Sequence, residues 1–93
     1  MVDRKLERRK PGALKPHPKN VRNHPRRQIG RICVSINQFG FTSPVLIDEN
    51  NVILAGHARI LAAIELRLDE VPVIVLRGLS EAQKRAYVLA DNK

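Results

Sequence analysis

Asn51-Val52-Ile53-Leu54-Ala55-Gly56-His57-Ala58-Arg59-Ile60-Leu61-Ala62-Ala63 is the stretch that decides the fold. Its first part is a short, β-branched apolar run, the pattern of a buried strand. Gly56 then frees the backbone to turn sharply. From His57 to about Leu66 the apolar positions Ile60, Leu61, Ile64 and Leu68 fall at helical spacing. A helix that starts directly after a strand and a glycine offers unpaired N–H donors and the positive end of its dipole, which suits an anion. His57 and Arg59 add side-chain donors on the same turn, and Arg can grip phosphate through two nitrogens. The same spacing also fits an ordinary tight turn with a solvated arginine.

Upstream, Pro44–Asp48 reads as the partner strand of a hairpin, with Glu49 and Asn50 as turn formers. Before it, Ile29, Ile32, Cys33 and Ile36 mark a helix from about Pro25 to Gln38, stopped by Gly40. Gly30 lies inside that helix, at a cost of about 1 kcal/mol relative to Ala. Downstream, Val71–Leu76 is an unbroken apolar run expected as a strand buried on both faces. Ser80-Glu81-Ala82-Gln83 is a capping-box pattern that opens a last helix. That helix runs to Asp91-Asn92-Lys93 without a stop signal, as expected of a domain excised from a longer protein. The predicted class is α+β: a small mixed sheet with three packed helices.

The flanking segments are read from charge. Residues 1–12 have no apolar period and are expected to be a flexible basic arm, with residues 13–93 as the single domain. Ala13-Leu14-Lys15 could form a short edge strand, and Lys19 to Arg27 a basic loop. Residues 1–31 carry eleven Lys and Arg against Asp3 and Glu7, whereas residues 32–93 carry six against seven acidic residues. The formal charge of +8 therefore sits almost wholly at the front. That asymmetry points to a polyanion, with Arg4, Lys5, Arg8, Arg9, Lys10, Lys19, Arg22, Arg26, Arg27 and Arg31 as DNA-backbone contacts.

At 93 residues the chain has a marginal core and a single cysteine, Cys33. A disulfide framework is excluded, and no zinc spacing is present. No apolar run reaches the roughly 20 residues of a membrane span, and the charged start is unlike a signal peptide. The expected location is cytoplasmic. Cys33 and Phe39 are expected in the core, and Phe41 as a loop anchor. Asp48, Glu49, Asp69 and Glu70 read as solvated loop charges. His17 and His24 read as loop residues rather than metal ligands. A nuclease is a weaker alternative, because no carboxylates cluster near the turn.

From Leu14 to Lys93 the chain resembles the ParB/sulfiredoxin-like N-terminal domain. Ser35-Ile36 followed by Gly40-Phe41-Thr42-Ser43-Pro44-Val45 is similar to one family segment, and Gly56 to Ala63 to its arginine-rich box. Asn51 to His57, Val71-Pro72-Val73-Ile74 and Leu79 to Lys93 look most like ParB-type domains fused to phage and prophage DNA methyltransferases. The resemblance implies phosphate binding at Gly56, His57 and Arg59, and a nucleotide-bordering loop at Gly40, Phe41, Thr42 and Ser43. It also implies a magnesium-holding Asn92, with CTP or ATP as possible cofactor. Asn20 and Arg22 fall near a further segment of that family, with Arg22 as the match. Implied partners are DNA and a C-terminal neighbouring domain of a larger DNA-acting protein, such as a methyltransferase or partition protein. An alternative is a magnesium-dependent nucleotide switch or weak NTPase. His57 replaces the box glutamate, and a cysteine nucleophile in sulfiredoxin chemistry, so neither hydrolysis nor that redox activity is implied here. No catalytic residue and no metal ligand is assigned within the domain.

Overall fold

The computed structural model describes residues 6–20 and 23–91. Five strands and three helices follow the chain: β1 (Leu6–Arg9), β2 (Lys15–Pro16), α1 (Arg26–Phe39), β3 (Val45–Asp48), β4 (Val52–Ala55), α2 (His57–Glu65), β5 (Val71–Leu76) and α3 (Glu81–Asp91), with a 3-10 turn at Pro11–Ala13. The sheet order is β1-β5-β3-β4-β2. β3 pairs antiparallel with β4 and parallel with β5, so the sheet is mixed, as expected.

The core lies between the sheet and α2. Val45, Ile47, Ile53, Val71, Val73 and Val75 meet Ile60 and Ala63, and Leu14 closes one side. Alternation along β3 turns Leu46 and Asp48 to the opposite face, where α3 meets the hairpin through Lys84 and Asp48. Val88 of α3 and Leu54 of β4 are buried as well. α1 packs on α2, which places it outside the sheet rather than on it.

Several expectations need correction. Residues 6–9 are not part of a flexible arm: β1 pairs antiparallel with β5 from Leu6 opposite Ile74 to Arg9 opposite Val71. Backbone pairing supplies what the apolar pattern lacked. Three ion pairs steady the strand, Arg8 with Glu70, Arg9 with Glu7 and Arg77 with Glu7. The Arg9 hydrogen bond holds the Glu7 carboxyl below its usual range. The edge strand near Leu14 forms one residue later, at Lys15–Pro16, parallel to β4.

β5 is not buried on both faces. Val71, Val73 and Val75 are buried, whereas Pro72, Ile74 and Leu76 are half-buried. Phe39 is 66% exposed because α1 ends there, while Phe41, beyond the turn, packs on the core. Cys33 is half-buried at the α1–α2 contact, its Sγ 3.7 Å from the Ala62 carbonyl oxygen.

Asp48 is the largest departure from the solvated-loop reading. Its carboxylate is 3% exposed and accepts backbone N–H groups from Asn50 and Val52, which fold the hairpin turn. The remaining charge is met by Lys84 at 3.0 Å, itself buried, which also reaches Glu49 and Glu81 at 3.2 Å. Hydrogen bonds to the backbone N–H of Gly78 and to Lys84 pull the Glu49 pKa down to about 2. Of the four carboxylates read as solvated, Asp69 is exposed, and Glu70 is exposed but paired with Arg8. Ser80 and Gln83 form the expected reciprocal cap, at 3.1 and 2.8 Å.

The candidate phosphate site

Gly56 caps α2 with φ +103°, a left-handed conformation that a side chain disfavours. A Cβ there would stand 2.8 Å from Arg59 Nη2 and 3.2 Å from Val45 Cγ2. The missing side chain thus makes the seat for the Arg59 guanidinium. Arg59 folds back over the turn, and its Nη2 donates to the Pro44 carbonyl oxygen at 3.0 Å. No side chain caps the helix start, so its first-turn N–H groups remain available to an anion.

This turn forms one wall of a cavity of about 200 Å³, lined among others by Asn20, His24, Gln28, His57, Arg59 and Asp91. A second cavity of about 280 Å³ is lined by Arg31, Ser35, Gly40, Phe41, Thr42, Ser43 and also Arg59. Arg59 is therefore the shared element between the box turn and the Gly40–Ser43 loop. That loop is set by the end of α1, where Gly40 adopts φ +82° and donates its N–H to Ile36 at 2.8 Å.

The polar groups of the first cavity are incompletely paired. His24 Nε2, His57 Nδ1 and Arg59 Nε are shielded from solvent and have no hydrogen-bond partner among the described residues. Such groups carry a desolvation cost of about 1–3 kcal/mol each unless something meets them. The two imidazoles pack edge to face with centroids 5.3 Å apart. Burial, and then the neighbouring His24, push the His57 pKa below its ordinary 6.5. Burial likewise opposes the charge on Arg59, and Asp91 partly supports it.

The family model for the ParB N-terminal domain matches residues 5–93. The chain belongs to the ParB N-terminal domain family. It is 51% identical over 72 residues to the ParB-like nuclease domain-containing protein YnaK of Escherichia coli, covering 77% of this chain and 83% of that protein. Its fold is similar to C-terminally truncated chromosome-partitioning protein ParB from Caulobacter crescentus complexed with CTP-γ-S. There the TM-score is 0.83 and the identity 22%, over 95% of this chain and 52% of that one. Sulfiredoxin from Arabidopsis thaliana shares the fold at TM-score 0.74 and 15% identity, over 90% of this chain and 97% of that one.

In this ParB N-terminal domain Gly56 and His57 share the first cavity with Arg59, whereas Gly40, Phe41, Thr42 and Ser43 share the second with it. Asn92 lies outside the described residues, as do Arg4, Lys5 and Arg22. His24 and Gln28 were not assigned to the site from sequence. His24 stands 33 positions before His57, and only the packing of the loop ahead of α1 against α2 joins them. The basic residues divide. Arg8 and Arg9 are held by carboxylates on the β1 edge. Arg26, Arg27 and Arg31 are exposed on α1 and have no ion pair among the described residues. Lys10 and Lys19 are exposed in the connecting segments.

Asn92, the residue expected at magnesium, lies outside the described residues. No group of three His, Cys, Asp or Glu is placed to hold a metal among them, and His57 offers an imidazole where a hard cation takes oxygen. Among the described residues, no helix is long and apolar enough to cross a membrane.

Proposed function

We propose that this domain binds a phosphate-bearing ligand at Gly56, His57 and Arg59 and serves to position a larger DNA-acting protein. The observation that carries the reading is the Arg59 guanidinium, seated on a side-chain-free Gly56 beside an uncapped helix start, with its Nε–H buried and unmet. A half-buried, half-satisfied guanidinium next to a helix N-terminus is an oxyanion receptor in both charge and geometry. The CTP-γ-S complex of the Caulobacter protein supports a nucleotide as that ligand. Gly40–Ser43 then borders it through the second cavity.

DNA contact is assigned to Arg26, Arg27 and Arg31, the exposed and uncommitted cations of α1. Backbone contacts of that type are sequence-independent and weaken with salt. The parent protein is a DNA methyltransferase or a partition-type protein, and the domain works within it as a binding module rather than a catalyst. Fluorescence anisotropy with labelled CTP and with a labelled duplex tests the reading. Arg59→Gln should weaken CTP and spare the duplex, whereas a combined Arg26 and Arg27→Ala change should do the reverse. Full CTP affinity in Arg59→Gln would refute the phosphate site.

A further inference from the structure

The cavity beside α2 takes part of its wall from the segment after β2, and a buried histidine folds that segment. β2 runs parallel to β4 with Pro16 opposite Ile53, so the chain reaches His17 beside the strand that leads into Gly56. His17 is buried, whereas the Pro18 and Lys19 that follow are exposed. Two hydrogen bonds then turn the chain back. The Asn20 N–H donates to the His17 carbonyl oxygen at 2.9 Å, and the Lys19 N–H donates to His17 Nδ1 at 3.0 Å. The first place of such a turn favours Asp, Asn or Ser, whose side chains accept the N–H two residues on. His17 fills that role with a ring nitrogen. Pro18 supports it, because its fixed φ suits the second place and it has no N–H to compete. A backbone N–H can only donate, so Nδ1 keeps its lone pair and the ring hydrogen sits on Nε2. The turn ends on Asn20, which lines the cavity together with His57, Arg59 and Asp91.

We infer that His17 is a positioning residue of this site: its Nδ1 sets the turn that holds Asn20 in the cavity wall. The inference rests on the phosphate reading above and adds to it a residue that does not itself line the cavity. His17 acts through the backbone of Lys19 and Asn20. Asn20 contributes a neutral amide, donor and acceptor at once, to a cavity whose charged walls are Arg59 and Asp91. Such an amide can meet a ligand oxygen without adding charge. A hydrogen bond is lost once donor and acceptor part beyond about 3.5 Å, so an unlocked turn takes Asn20 out of the ligand's reach. The role needs a side-chain acceptor at position 17 rather than an imidazole as such. His17→Asn supplies one through Oδ1. His17→Phe keeps a ring, removes the acceptor and leaves the Lys19 N–H without its partner.

Measurements on the 93-residue chain test this. Nitrogen NMR at about pH 8 should place the His17 hydrogen on Nε2. His17→Phe should speed solvent exchange at the Lys19 and Asn20 amides and weaken labelled CTP about fivefold. His17→Asn should restore both, with the amides of Val45 and Ile47 unchanged in each variant as the folding control. In an Asn20→Ala background, His17→Phe should cost no further affinity, because it acts through Asn20. A hydrogen on Nδ1, full CTP affinity in His17→Phe, no rescue by a folded His17→Asn, or the same loss repeated in the Asn20→Ala background overturns the positioning role while the phosphate reading stands. Silence of the unsubstituted chain toward CTP removes the phosphate reading, and the positioning role with it.

Discussion

Arg59 lies over the Cα of Gly56 so closely that a methyl group on that glycine would come within 2.8 Å of the guanidinium. One glycine therefore serves two ends. It makes the left-handed turn from β4 into α2, and it sets where the site's arginine sits.

Gly56→Ala should consequently harm stability and binding together. The left-handed conformation alone costs an alanine about 1–2 kcal/mol, and the displaced Arg59 would lose its bond to the Pro44 carbonyl. Urea unfolding should show the loss of stability. Anisotropy with labelled CTP should show weakened binding even where the variant is folded.

Lys84 and Asp48 tie α3 to the hairpin, and α3 carries Val88 and Asp91 into the wall of the cavity. Lys84→Met leaves Asp48 buried without its cation, so the melting temperature should fall. Adding Asp48→Asn should recover part of that loss, because the neutral side chain can still accept from the turn N–H groups. Thermal melts of the two single variants and the double variant measure the coupling.

The same cluster sets an acid limit. Glu49 is lowered from 4.5 to about 2, and Asp48 is lowered from 3.8 by hydrogen bonds from Val52, Asn50 and Lys84 that outweigh its burial. A depressed carboxyl contributes stability above its unfolded pKa and loses it as pH falls toward the folded value. Melting temperature should therefore decline from about pH 4.5 to about pH 2, and Lys84→Met should flatten that decline. Lys84 is raised above its ordinary 10.5, chiefly by Asp48. Its contribution is complete below that value and is lost only as pH rises beyond it.

Gly30 sits exposed inside α1, and a Cβ there would meet nothing within 4 Å. Gly30→Ala should stabilise the domain by about 0.5–1 kcal/mol, read by urea unfolding. No packing reason for the glycine appears in the structure.

The hairpin, α2 and α3 were legible because each carries its own local signal: apolar runs flanking turn formers, helical spacing, a capping box. β1 was not, because Leu6-Glu7-Arg8-Arg9 has one apolar residue and draws its order from pairing with β5. The Lys84–Asp48 pair was hidden because its members lie 36 positions apart, and Asp48 read as a solvated loop charge. His24 was hidden the same way. In each case the deciding contact is long-range, and residue type pointed to solvent.

The most direct test of the central claim is an NMR titration of the domain with CTP, ATP and a short duplex, each with and without magnesium. The account predicts shifts at Gly40–Ser43 and Gly56–Arg59 with a nucleotide, and separate salt-sensitive shifts on α1 with the duplex. A response confined to α1, with Gly56–Arg59 silent toward every nucleotide, would contradict it.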